Sequence, residues 1–176
     1  IFSTILGKKY SFIKSTTDID SLFSDHECDA IIIATRHDSH ADLIIRGLQS
    51  GKDVFVEKPL CINHKEFNLI KDVYDGKNIL MVGFNRRFSS FIKIIKNELS
   101  LSNSPKVFSY TCNAGFIPKE HWTQDLYLGG GRLIGEACHF VDLLRFLSNS
   151  LITDLKVSYL GDKKSSCNDT FILNLT

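Results

Sequence analysis

Long apolar runs are missing from this chain of 176 residues: stretches such as Ala30-Ile31-Ile32-Ile33-Ala34 span a handful of positions, far short of the roughly 20 needed to cross a bilayer. No membrane span is expected. An excess of one charge is missing too, because 21 Lys and Arg are interspersed with 20 Asp and Glu for a net charge of +1. Such a chain has no field to hold a nucleic-acid backbone or an anionic membrane, and neither is expected as a partner. C-x-x-C spacing is absent: the five cysteines, Cys28, Cys61, Cys112, Cys138 and Cys167, are odd in number and far apart. They fit neither a disulfide framework nor a zinc site, so the expected compartment is a reducing cytoplasm. The sequence also lacks the G-x-S-x-G turn of a serine hydrolase, the H-E-x-x-H of a zinc protease, internal repeats and low-complexity segments. Residue 1 is Ile and no signal pattern follows it, so the chain reads as starting inside a longer one. Its carboxyl end stops within an expected strand and reads as truncated as well.

What is present is a globular composition, 43% hydrophobic and 23% charged with 13 Phe, which excludes disorder, collagen and coiled coil. Thr16 to Asp25 predicts a short amphipathic helix capped by Thr17 or Asp18, with Ile19, Leu22 and Phe23 inward. Asp29 to Thr35 is a β-branched run without polar alternation, the pattern of a central parallel strand covered on both faces. Ala41, Ile44, Ile45 and Leu48 then predict a helix capped by Ser39 and ended by Gly51. Asp53 to Val56 is a second strand, stopped at Glu57-Lys58-Pro59. Asn63 and Glu66 form a capping box ahead of a helix burying Phe67, Ile70 and Tyr74, and Ile79 to Phe84 is a third strand. This alternation over the first half requires crossover connections and so a parallel, helix-covered sheet. Ligands bind such sheets at the carboxyl ends of the strands. The polar segments 35–39, 57–58 and 85–87 lie at three successive ends and are expected to share one crevice. Beyond Ser100 the pattern changes to a strand at Lys106 to Asn113, a polar loop with Trp122, and a helix from Gly129-Gly130-Gly131 to Leu147. Strands are expected at 155–160 and 170–175.

The segment from Gly129 to Asp142 carries the most chemistry. At about 100° per residue, a continuous helix puts Arg132, Glu136 and His139 on one face and Leu133, Ala137, Val141 and Leu144 on the other. Gly135, one turn before His139, would let a substrate approach the imidazole, and the glycines would offer free backbone N–H groups. The same pattern also suits a helix with a flexible start and a solvated face. Lys58, beside Glu57 at a buried strand end, can hydrogen-bond a hydroxyl that becomes a carbonyl, whereas three such residues elsewhere would be a surface turn. His37 and His40 have H-x-x-H spacing, with His139 or Cys138 as conceivable third ligands, but the pair straddles a helix cap and no metal is expected. His40 reads better as a packed, hydrogen-bonded residue at the helix start. Asn85, Arg86 and Arg87 suit a phosphate or ribose, or simply water.

Taken together, these segments resemble the Gfo/Idh/MocA family of NAD(P)-dependent sugar and inositol dehydrogenases. Asp29 to His40 resembles its strand, A-T-P-x-x-x-H turn and helix; Glu57-Lys58-Pro59 is its E-K-P; Gly83 to Phe88 matches G-x-N-R-R-F; Gly129 to Asp142 resembles G-G-G-x-L-x-D-x-G-x-H-x-x-D. The four segments occur in the family's order across residues 29–142. The resemblance implies an α/β fold: part of a Rossmann-type parallel-sheet domain over residues 1–84, then the start of an α+β domain with a mostly antiparallel sheet over 85–176. It implies NAD or NADP as cofactor and hydride transfer to or from a sugar, nucleotide-sugar or polyol carbon. By motif position Thr35, His37, His40, Glu57, Lys58 and Arg86 would line the cofactor. Lys58 and His139 would be catalytic, with Trp122, Arg132, Glu136 and His139 at a carbohydrate-type substrate. The second domain would form a homo-oligomer. The same fold also serves non-catalytic cofactor- or sugar-sensing regulators, and this alternative stays open.

The sequence departs from the pattern in several places. Arg36 replaces the proline of the turn, Gly135 stands where the family usually has an aspartate, and Ala137 replaces a glycine. The G-E-x-C-H-F variant resembles a subgroup fused behind a zinc-type alcohol-dehydrogenase-like domain and associated with polysaccharide metabolism. No G-x-G-x-x-G turn, nor the acidic residue about 20 positions after it, precedes Asp29. This polypeptide alone is therefore expected to hold NAD or NADP weakly.

Overall fold

A computed structural model describes residues 2–160 and 169–176 of the chain; Cys167 lies outside the described residues. Helix α1, Phe2–Lys9, comes first, an element the sequence pattern did not announce. The helix expected over Thr16 to Asp25 contracts to α2, Asp20–Phe23. Here Thr16 Oγ1 accepts the Asp18 amide at 2.9 Å and Asp18 Oδ1 the Asp20 amide at 3.1 Å. Such local side-chain bonds compete with helix.

Strands β1 (Ala30–Ile33), β2 (Asp53–Val56) and β3 (Leu80–Val82) form a parallel sheet in that order, with α3 (His40–Gln49) and α4 (His64–Val73) as the crossovers. Register places Ile31 beside Val54 and Ile33 beside Val56. These side chains share the face that α3 covers, and with Ile44 and Ile70 they form the core. Helix and sheet lie close at Gly47, where a Cβ would stand 2.8 Å from Val54 Cγ2. The capping box is formed: Asn63 Oδ1 accepts the Glu66 amide at 2.9 Å, while Glu66 accepts the Ile62 amide at 3.0 Å and the Asn63 side-chain amide at 2.7 Å.

Several expectations are corrected. Strand β1 is an edge among the described residues, and Ile32, on the face away from α3, is 76% exposed. The apolar run therefore has one covered face and not two. In α4 only Ile70 is buried, while Phe67 and Tyr74 are exposed, so the inward stripe is narrower than its periodicity. Ser39 does not cap α3, because a 3-10 turn, His37–Ser39, precedes that helix. Its hydroxyl instead donates to the Arg36 carbonyl at 2.8 Å and lies 2.6 Å from Thr35 Oγ1.

The second half holds a 3-10 turn, Asn85–Phe88, then α5 (Ser90–Ser100), a 3-10 turn at Trp122–Gln124, α6 (Gly131–Gly135), α7 (Cys138–Ser148), and the antiparallel pair β4 (Leu155–Tyr159) and β5 (Phe171–Leu175). The strand expected at 106–113 is irregular; no described strand pairs with it, and an unpaired strand has no ladder to hold it. The single helix expected up to Leu147 is two. It breaks at Glu136 (φ −124°, ψ −49°), where the Arg132 carbonyl accepts both the Glu136 and the Ala137 amides at 3.0 Å. Two cationic links dock this half: Lys96 Nζ donates to the Phe146 carbonyl at 2.6 Å, and Arg87 grips Asp142 through two nitrogens. No helix among the described residues is long and apolar enough to cross a membrane.

Candidate functional site

The carboxyl ends of β1, β2 and β3 lie together because the sheet is parallel and in register. The Glu57 amide donates to the Ile33 carbonyl at 2.8 Å and the Gly83 amide to the Val56 carbonyl at 2.7 Å, carrying the strand spacing past the regular ladder. Gly83 lets the Glu57 carboxylate lie across it, since a Cβ there would meet the carboxylate oxygens at 3.0 and 3.2 Å. Lys58 follows, joined to Pro59 by a cis peptide bond, and its ammonium donates to the Gly135 carbonyl at 2.6 Å. Two parts of the chain 77 residues apart thus meet at one lysine.

The histidines have three different roles. His40, the first residue of α3, is fully buried; its Nδ1–H donates to the Pro59 carbonyl at 2.7 Å, and Nε2 stands 3.2 Å from the Thr35 carbonyl. It ties two strand ends together from inside. His37 is half-buried, donates from Nδ1 to the Gly129 carbonyl at 2.7 Å, and meets the Trp122 ring edge-on at 4.8 Å. Burial lowers its proton affinity and its bond to Gly129 partly offsets this, while His40 and Lys58 lower it further. His139 lies at the start of α7, edge-on to Phe84 at 6.1 Å. Its Nδ1 is buried with no hydrogen-bond partner among the described residues. Burial lowers its pKa, the Lys58 and Arg86 cations lower it further, and Glu57 and Asp142 oppose them. The imidazole is therefore neutral at physiological pH.

Two expectations about the glycines fail. The amides of Gly129 and Gly130 donate to the Asp125 carbonyl at 2.8 and 3.0 Å, so they are not free for an anion. The space above Gly135 does not open toward His139, because the His37 ring fills it, 3.1 Å from where a Cβ would stand. The expected polar helix face is also altered by the break at Glu136. Arg132 still pairs with Glu136 at 3.2 Å, but its guanidinium donates to the Gly115 carbonyl at 2.8 Å, pinning the loop before Trp122. Arg86 is exposed and lies over the Phe140 ring at 4.9 Å, and Thr35 is exposed at the end of β1. Cys138 is pushed up to about 11 by burial, despite the nearby Lys58, and stays a thiol. Among the described residues no group of three His, Cys, Asp or Glu could hold a metal ion.

The structure thus brings Glu57, Lys58, His139 and Arg86 within electrostatic reach of one another, with His37 and Trp122 on the flank. The Gly135 carbonyl as the partner of Lys58 was not foreseeable, since a backbone acceptor leaves no trace in residue type. The Arg87–Asp142 pair was missed as well, although both residues stand in recognisable motifs.

Comparison with known proteins agrees with this geometry. Residues 6–97 match the Gfo/Idh/MocA family model, described as an oxidoreductase family with an NAD-binding Rossmann fold. The chain is 32% identical over 130 residues to the inositol 2-dehydrogenase of Rhizobium meliloti, covering 73% of this chain and 39% of that protein. It is 31% identical over 154 residues to the scyllo-inositol 2-dehydrogenase (NAD(+)) of Bacillus subtilis, covering 85% and 44%. The fold is that of levoglucosan dehydrogenase solved with NADH and levoglucosan (TM-score 0.79, 24% identity, 91% of this chain and 45% of that one). The chain spans less than half the length of each of these proteins.

Proposed function

Because this chain belongs to the Gfo/Idh/MocA oxidoreductase family with its NAD-binding Rossmann fold, we propose that the protein is an NAD(P)-dependent dehydrogenase of sugars, nucleotide sugars or polyols. The observation that carries this reading is the unpartnered, buried Nδ1 of His139 beside the Lys58 ammonium. A buried ring nitrogen without a partner costs about 1–3 kcal/mol, a cost that a substrate hydroxyl in the crevice would remove. The names of the similar proteins, inositol 2-dehydrogenase and levoglucosan dehydrogenase, support the substrate class. The crevice suits a dinucleotide by the position rule for parallel sheets.

A nicotinamide cofactor, when bound, would supply or accept the hydride. The protein handles the proton. His139, held neutral by burial and by two neighbouring cations, takes the hydroxyl proton on Nδ1 during oxidation and returns it during reduction. Lys58, fixed by the Gly135 carbonyl, donates a hydrogen bond to the same oxygen and stabilises the charge that develops on it. Thr35, His37, Glu57, Lys58 and Arg86 line the cofactor in this reading, and Trp122 flanks the substrate. His40 positions the Thr35 and Pro59 strand ends, while Arg132 and Glu136 shape the substrate side by holding residues 114–115.

The same proposal assigns residues 1–84 to a Rossmann-type domain and 85–176 to a substrate and oligomerisation domain. It extends to a cytoplasmic homo-oligomer and to the subgroup fused behind a zinc-type alcohol-dehydrogenase-like domain. The test is NADH and NADPH binding by fluorescence in the full reading frame carrying this chain, followed by turnover on sugars, polyols and nucleotide sugars. Lys58→Ala or His139→Ala is expected to lower kcat by about a hundredfold or more, with a smaller effect on cofactor affinity. Cofactor binding without turnover of any substrate would instead support a sensing regulator, a reading that Gly135 at the aspartate position favours.

A further inference from the structure

We infer that the cavity walled by Arg36, Lys119, His121 and Trp122 receives an anionic group, a carboxylate or phosphate, carried by the sugar substrate, and that Arg36 is the residue that reads it. This rests on the dehydrogenase reading and narrows its substrate class to acidic sugars. The cavity has a volume of about 570 Å³, within the roughly 300–1,000 Å³ of small-molecule sites. Arg36 leaves the end of β1 extended (φ −72°, ψ 153°) and lays its guanidinium over the Trp122 ring at 5.6 Å. Stacking occupies one face of the guanidinium and leaves its N–H edge free for a bidentate acid. No carboxylate pairs with Arg36 or Lys119 among the described residues.

Two acids also line the cavity, and they do not cancel these cations equally. Asp125 Oδ1 already accepts the Tyr127 amide at 2.7 Å and the Leu128 amide at 3.1 Å, so its charge is held by the local turn. Glu120 and the other oxygen of Asp125 remain to oppose Arg36 and Lys119, so the preference for an acid rests on the N–H edge of Arg36 and not on net charge. The cavity is coupled to the reacting centre through packed groups. Trp122 contacts His37, His37 bonds the Gly129 carbonyl and covers Gly135, and the Gly135 carbonyl holds Lys58. An acid gripped at Arg36 is thus linked to Lys58 through the contacts of Trp122, His37 and Gly135.

The experiment titrates glucuronate, glucose 6-phosphate, glucose and inorganic phosphate by calorimetry into the full-reading-frame protein, with and without NADH. At least one acidic sugar is expected to bind about tenfold or more tightly than glucose, and Arg36→Ala to reduce that preference about tenfold or more. Lys119→Ala should reduce it less, and Arg36→Lys should keep part of it. Whichever acidic sugar shows the Arg36 dependence identifies carboxylate or phosphate as the group read. Glucose binding as tightly as both acids, a preference unchanged in Arg36→Ala, or inorganic phosphate binding as tightly as either acid would overturn the inference. A protein that binds no NADH fails the dehydrogenase reading instead, and the titrations without NADH still decide the cavity.

Discussion

Gly135→Ala puts the arrangement around Lys58 to a direct test, because helix preference and tertiary packing disagree about its sign. By preference alone the change would stabilise α6 by about 1 kcal/mol, and its backbone angles do not require glycine. Against this, the added Cβ would stand 3.0 Å from the Gly129 carbonyl oxygen and 3.1 Å from His37 Cε1. The first of these is backbone and the second belongs to a ring already held by the Gly129 carbonyl at 2.7 Å. Neither yields without stretching that bond. Overpacking of this kind costs about 1–3 kcal/mol, and a weakened hydrogen bond about 1 kcal/mol more. The net expectation is a loss of about 1–3 kcal/mol, read as a lower urea midpoint at unchanged slope by circular dichroism. In a His37→Ala background one of the two obstacles is gone, so the double-mutant cycle should show a coupling of about 1 kcal/mol. A Gly135→Ala protein as stable as wild type or more stable, or a cycle with no coupling, would refute the close approach of His37 to Gly135.

Arg87→Ala leaves the nearly buried Asp142 carboxylate without its bidentate partner, and stability should fall by about 2–3 kcal/mol in urea melts, a value discounted for the one-third exposure of the arginine. Arg87→Lys, unable to form the fork, should recover only part of it. Ile44→Ala empties the centre of the α3–sheet contact, where Ile44 is fully buried, and should cost about 2–5 kcal/mol. His37 and His139 both hold their proton less tightly folded than unfolded, so between those lowered values and about 6.5 the unfolded state binds more protons. Their burial is therefore neutral to stability above that range and destabilising as pH falls through it. Thermal melts should show the midpoint dropping on acidification below about pH 6.5, and His139→Gln should flatten that slope; an unchanged slope would remove His139 from the cause.

What the sequence by itself determined is local. Runs such as Ile31-Ile32-Ile33 and Val54-Phe55-Val56, separated by an amphipathic helix, leave little but a parallel crossover, because covalent reach and helix packing allow few other pairings. Asn63 with Glu66 declared a helix start, since both partners of a capping box lie within one turn. The motif segments around Lys58, Arg86 and His139 were likewise readable in linear order. Tertiary structure decided which faces are covered and which polar groups are already taken. Nothing in the Ile32 neighbourhood shows that one side of β1 stays exposed, since coverage depends on elements distant in the chain. The break at Glu136 divided a polar face that periodicity alone made continuous. The acceptor for Lys58, the filler of the space over Gly135 and the partner of Arg87 come from segments far away in sequence, and the first of them is a backbone carbonyl. A backbone carbonyl is common to every residue, so only the folded chain shows which one meets which side chain.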